Sequence, residues 1–240
     1  YNAVTTRTIV TGEAGRQQMV HAGMNADRLV VIRGAVDASP FERQVRHNGA
    51  LRLQLGIPAD APLIGCVARL APIKGHTHLI DAFARVRATA VGSAAHLVLI
   101  GPAWGRGEAA LRAQVTRLHL EASVHYLGRR DDIPTCMRDF DVGVVASVGS
   151  EALSRVTLEY MCAAVPVVAT AVGTIAEILP KSAGRLVPPA NAAALAAAIA
   201  DLLAAPDRGA SLGQSGAQHV RREFTIEKQV DALEELYGNL

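Results

Sequence analysis

The sequence predicts an α/β protein built on a doubly wound parallel sheet, and three observations carry this. Six short apolar runs, at residues 62–68, 96–100, 123–127, 142–146, 167–170 and 185–187, are nearly all separated by helical patterns. The first, second and fourth are almost unbroken Val, Leu, Ile and Ala, the composition of strands covered on both faces. Between strands, apolar residues recur at helical spacing, as in Leu79, Ile80, Phe83 and Val86. Alternating strands and helices close into a parallel sheet through right-handed crossovers. For six strands the expected spatial order is 3-2-1-4-5-6, with a crevice outside the C-terminal ends of the first and fourth strands.

Upstream of these strands, residues 8–10 read as a strand, 13–22 as a helix stopped by Gly23, and 27–32 as a second strand. This is too little structure to form a core of its own. Arg33-Gly34-Ala35-Val36-Asp37 and Ser39-Pro40 read as a linker, and a helix from Phe41 to Leu55 follows, closed by Gly56 and Pro58. Near the end, an Ala-rich helix carries Leu195, Ile199, Leu202 and Leu203 on one face; its alanines are good helix formers rather than low complexity. Helices near 207–223 and 225–237 complete the chain.

Half of the 240 residues are hydrophobic, ample for one core. A formal net charge of +2, no basic block and few aromatics argue against nucleic-acid binding. No apolar run reaches the ~18 residues of a membrane span, and no signal peptide is visible. Cys66, Cys136 and Cys162 lie apart in apolar stretches, as buried thiols of a cytoplasmic protein would. His76 and His78, two apart on a helix, face different directions and make a poor metal pair. The first residue is Tyr, so the chain is read as a fragment, a processed product or a truncation.

The chemistry concentrates in residues 147–177. Glu151 falls in the loop after the fourth strand, and Glu159 falls a turn inside the next helix, whose expected N-cap is Ser154. Pro166 ends that helix before the strand Val167-Val168-Ala169-Thr170. A helix N-terminus presents unpaired N–H groups and partial positive charge, an anion site. Arg155 at the first helical position opposes the dipole unless an anion joins it; turning to solvent or to a carboxylate is the equal alternative. Glu159 lies roughly 7–8 Å further along the axis, about the reach from a phosphate to the hydroxyls of an attached ribose. The loop after the first strand brings Arg69 and Lys74 to the same crevice, two cations suited to a diphosphate. The Gly-rich turn at 101–107 lacks a P-loop ending and reads as a turn lining the pocket, with Trp104 as a packed loop aromatic. Glu177, after Gly173, reads as structural, bonding local backbone N–H groups, in preference to approaching a ligand.

Together Ser-Glu-Ala-Leu-Ser-Arg-Val-Thr-Leu-Glu, the Pro-Val-Val-Ala-Thr strand, Val-Gly-x-x-x-Glu and Arg69-x4-Lys74-Gly resemble the donor-site segments of glycosyltransferase family four. Ala152 stands where many members carry glycine. The resemblance implies one Rossmann-like half of a GT-B architecture. It divides the chain into 1–33, a remnant of the N-terminal acceptor domain; 34–44, a linker; 45–223, a nucleotide-sugar-binding domain; and 224–240, a helix crossing back. It implies that Arg69, Lys74, Ser154, Arg155 and Val156 hold the diphosphate and Glu159 the ribose, with Glu151 facing the sugar as the catalytic carboxylate. It implies that Gly128, Arg129 and Ile133 form the base-contacting turn, whose other reading is a helix start with acidic residues in its first turn. The expected donor is a UDP- or GDP-sugar, with no cofactor or metal, and transfer with retention to a glycan or lipid-linked acceptor. The setting it suggests is bacterial polysaccharide assembly, cytoplasmic, with peripheral membrane contact. A nucleotide-sugar-binding module without transfer activity, or an epimerase of the same architecture, are the competing readings.

Overall fold

The computed structural model describes residues 5–42, 49–105, 107–149 and 151–239. Strands β1 (Thr8–Val10) and β2 (Leu29–Val31) pair in parallel around helix α1 (Glu13–His21). No residue of α1 is buried, and among the described residues the buried hydrophobic side chains of this unit are Val10, Leu29 and Ile32. The expected helix from Phe41 to Leu55 is two pieces, α2 (Ser39–Glu42) and α3 (Ala50–Leu55); part of it, 43–48, lies outside the described residues. Gly49 takes φ 73°, a left-handed conformation incompatible with a continuous helix, and Gly56 closes α3 at φ 64°.

Six strands then form the main sheet: β3 (Leu63–Val67), β4 (His96–Ile100), β5 (Val124–Tyr126), β6 (Val142–Val145), β7 (Val167–Thr170) and β8 (Gly184–Val187). All pair in parallel in the order β5-β4-β3-β6-β7-β8, the expected topology. Helices α4 (His76–Arg87), α5 (Gly107–Arg117) and α9 (Ala192–Leu203) cover one face through Leu79, Phe83, Val115 and Ile199. On the other face lie α3, α6 (Ile133–Arg138), α7 (Arg155–Cys162), α8 (Ile175–Ile178) and α10 (Pro206–Glu223). Alternate strand residues feed the two layers: Leu97 and Leu99 one, Val98 and Ile100 the other. Helix α11 (Ile226–Gly238) follows, with none of its residues buried. Among the described residues no helix is long and apolar enough to cross a membrane.

Two glycines inside central strands admit aromatic rings. A Cβ on Gly65 would lie 2.1 Å from the Phe140 ring, and one on Gly143 2.7 Å from the Tyr160 ring. The Tyr160 hydroxyl accepts from Val67 N at 2.9 Å and donates to Gly65 O at 3.1 Å. It satisfies backbone groups at the β3 end, next to where the chain leaves the sheet.

His76, the first residue of α4, is 2 % exposed, and among the described residues neither ring nitrogen has a partner in good hydrogen-bond geometry. Burial above all lowers its pKa to about 4, against the pull of the nearby Ala71 backbone and with a smaller push from the Lys74 ammonium. The unfolded chain takes up this proton near pH 6.5, whereas the folded chain resists it until about 4. Stability is therefore expected to fall by about 3 kcal/mol as pH drops through that window. Burial also lowers the pKa values of His96, His125 and His219, which contribute alike to both proteins, so urea unfolding from pH 7 to 4 should show a loss smaller by about this amount in His76→Leu than in the wild type; parallel profiles would refute it.

Candidate functional site

A cavity of about 210 Å³ opens at the C-terminal edge of β3 and β6, where the strand order reverses. Its floor is residues 66–68 and 144–147, and its walls are Lys74, Glu151 and residues 153–156. A larger cavity, about 390 Å³, lies where β3 and β6 begin, lined by Asp60, Asp141 and apolar residues of α9 and α10. The Asp141 carboxylate there is committed to Arg52 and to Leu63 N, at 2.8 and 2.7 Å. Among the described residues no cationic group lines that cavity, so the smaller one is the better anion site.

The loops after β3 and β6 are closely joined. Val148 N donates to Ile73 O at 2.9 Å. Gly75, at φ 67°, lies so close to Ala146 that a Cβ would approach its carbonyl oxygen to 1.9 Å. Any side chain here would push the loops apart as well as strain the backbone. Thr170 Oγ1 of β7 donates to Ser147 O at 2.5 Å and fixes the start of the second loop. These contacts bring Lys74 and Glu151, 77 residues apart, into an ion pair of 2.5 Å. Ser147 Oγ donates to the same Glu151 oxygen, also at 2.5 Å. Glu151 is 7 % exposed, so the pair sits largely out of water.

Helix α7 begins at the cavity wall. Ser154 stands at the N-cap as expected, but its hydroxyl pairs with Thr157 Oγ1 at 2.8 Å instead of a backbone N–H. The first N–H groups of a helix have no intrahelical acceptor, and that of Val156 is among them here. Ala152 is not among the residues with positive φ, so its side chain imposes no strain in place of the glycine of many members. Arg155 is exposed at the first turn. Glu159 lies one turn further and half-buried; burial raises its pKa while the Arg155 charge opposes the shift, and burial wins.

Arg69 is not part of the cavity lining. It is exposed, with its guanidinium 4.9 Å from the centre of the Trp104 ring, a cation–π contact. Trp104 is 58 % exposed, which corrects the expectation of a packed loop aromatic. Its turn does flank the site: Leu70 N donates to Pro102 O at 2.9 Å, and Gly101 N to Gly128 O at 2.7 Å. Gly128 takes φ 60°, and Arg129 beside it is open to solvent, 3.7 Å from an equally open Asp131. Arg130 grips Asp132 with two nitrogens, at 2.6 and 2.7 Å, and reaches Gln54 of α3. This hydrogen bonding holds the Asp132 carboxyl below the usual range and takes it away from capping α6, which it precedes. Ile133 opens α6 and packs against the apolar layer. The structure thus gathers Lys74, Glu151, Ser154, Arg155 and Val156 at one cavity, with Glu159 a turn away on the same helix. Gly128, Arg129 and Ile133 follow β5, at the same sheet edge but two strands away.

Residues 61–205 match the family model described as glycosyl transferases group 1. The chain belongs to this family. Among curated members it is 31 % identical, over 75 % of its length, to a GDP-mannose-dependent monoacylated alpha-(1-6)-phosphatidylinositol monomannoside mannosyltransferase of Corynebacterium glutamicum, covering 48 % of that protein. It is 30 % identical, over 90 % of its length, to a D-inositol 3-phosphate glycosyltransferase of Xylanimonas cellulosilytica, covering 52 % of it. The chain therefore spans about half the length of the curated relatives it matches. Among solved structures, Anabaena HepE in complex with UDP and glucose superposes with a TM-score of 0.92 at 28 % identity, covering all of this chain and 64 % of that one.

Proposed function

We propose that this group 1 chain is the donor-binding part of a retaining glycosyltransferase that moves a sugar from a nucleoside diphosphate to a glycan or lipid-linked acceptor. The observation that carries it is the convergence of Lys74, Glu151 and the α7 N-terminus on one cavity, with a half-buried acid one turn deeper. Lys74 and the Val156 N–H would hold the diphosphate; the Arg155 N–H, which donates to Leu153 O at 3.0 Å, would have to leave that bond to join them. As the glycosidic bond to it breaks, the diphosphate leaves with the bonding electrons, and those same groups stabilise its growing negative charge. Glu151 would face the sugar and stabilise positive charge at the anomeric carbon. Glu159, an acceptor with two oxygens, would take the ribose hydroxyls. Arg69 would serve the diphosphate after leaving Trp104, and Arg129 and Ile133 would flank the base. No metal has a role in this scheme, so EDTA should leave nucleotide affinity unchanged.

The relatives differ in nucleotide: one is GDP-mannose-dependent, while HepE holds UDP. Calorimetric titration of the chain with UDP, GDP, ADP and their sugars is expected to reveal saturable binding of one base over the others. The acceptor side would come from the half that the relatives have in addition, so this chain is expected to bind a donor with little or no transfer. Absence of binding to every nucleotide would overturn the proposal; robust turnover on a defined acceptor would overturn its division of labour.

A further inference from the structure

The Glu151 loop is held from behind as well as at its carboxylate. Thr174 donates to Glu151 O through N at 3.0 Å and through Oγ1 at 3.3 Å. Gly173, at φ 55°, lies against the same carbonyl, 2.2 Å from where a Cβ would be. On the other side, Thr11 Oγ1 donates to Ala152 O. Thr11 belongs to the β1–α1 unit, and what ties that unit to the Thr174 turn is Glu177 of α8. Its two carboxylate oxygens accept from Glu13 N at 2.8 Å and Ala14 N at 2.7 Å. These are orphan donors of α1, whose N-cap, Gly12, has no side chain to satisfy them. The missing side chain also makes room, since a Cβ on Gly12 would lie 2.8 Å from Glu177 Oε2.

The contacts close a ring: Glu151 backbone to Thr174, along α8 to Glu177, across to α1, back through Gly12 and Thr11, and onto the Ala152 backbone. We propose that Glu177 is a positioning residue for the sugar half of the site, acting through this ring on Glu151. Lys74 and the α7 N-terminus, which would serve the diphosphate, stand outside the ring. Opening it loosens the orientation of the Glu151 backbone; Lys74 meets Glu151 only through the side-chain ion pair and keeps its own loop anchor, the bond from Val148 N to Ile73 O, so the phosphate contacts are disturbed less than the sugar contacts. The inference rests on the donor-binding reading above.

The test is calorimetry on the whole chain with two probe pairs, UDP with UDP-glucose and GDP with GDP-mannose, taking the pair that the wild type binds. Glu177→Ala is expected to weaken the nucleotide-sugar about tenfold, a share of what a charge-assisted hydrogen bond is worth, and the free nucleotide by less than about twofold. Thr11→Val opens the ring at a second point and should give the same split. In a Glu151→Ala background, Glu177→Ala should add nothing. A wild type that binds neither pair overturns this inference together with the reading beneath it. If the wild type binds, then equal weakening of nucleotide and nucleotide-sugar, no weakening at all, or an undiminished effect in Glu151→Ala overturns the positioning role alone.

Discussion

Lys74→Met is expected to lower nucleoside diphosphate affinity by about 2–3 kcal/mol, on the order of a hundredfold, the largest single loss we foresee at this site. Two effects add. The substitution removes the cation at the cavity wall, and it leaves Glu151, 7 % exposed, with Ser147 as its remaining side-chain partner among the described residues. Stripping one member from a fully buried ion pair costs about 3–5 kcal/mol; Lys74 is 21 % exposed, so about 2 kcal/mol of stability is the expected loss here. Glu151→Gln separates the two effects. It keeps the cation and frees it from its partner, so UDP or GDP affinity should hold or rise. Calorimetry with both variants decides the matter: an unchanged Kd in Lys74→Met would remove Lys74 from the diphosphate site.

Glu159→Gln is expected to weaken UDP or GDP binding by about 1–3 kcal/mol, the range for a hydrogen bond to a charged group. The argument depends on depth. The residue sits one turn inside α7, beyond the N–H groups proposed to meet the phosphates, and half-buried. The amide keeps the shape and one acceptor oxygen but loses the charge, so the loss isolates the ribose contact. A 2′-deoxynucleotide should show the same loss with the wild type and little further loss with the variant. Equal affinity of both proteins for the ribonucleotide would place the ribose elsewhere.

The sheet was legible because its strands are buried on both faces and say so. Residues 96–100 and 167–170 match the observed strands end to end. Strand order then followed from the alternation of elements, and with it the meeting of the Lys74 and Glu151 loops. What stayed hidden belongs to side chains that choose partners across loops. Arg69 lies over Trp104, and nothing local in either loop announces the stack. The sequence points Glu177 to local backbone N–H groups; it does bond backbone N–H groups, but these lie 164 and 163 residues away. Ser154 kept its place while its hydroxyl turned to Thr157, a competition that spacing alone does not resolve. The break in the helix from Phe41 to Leu55 did have a signal, the Asn48-Gly49 pair, a turn dipeptide outweighed by the apolar pattern around it.

The chain contains a single tryptophan, and it is the indole beneath Arg69. All indole emission therefore originates at one known point, on the turn bordering the cavity. A charge resting on the ring shifts and partly quenches that emission, and its departure reverses both. Arg69 leaving for a phosphate would thus be visible in unlabelled protein, giving an optical readout of occupancy once excitation is set beyond the absorption of the four tyrosines.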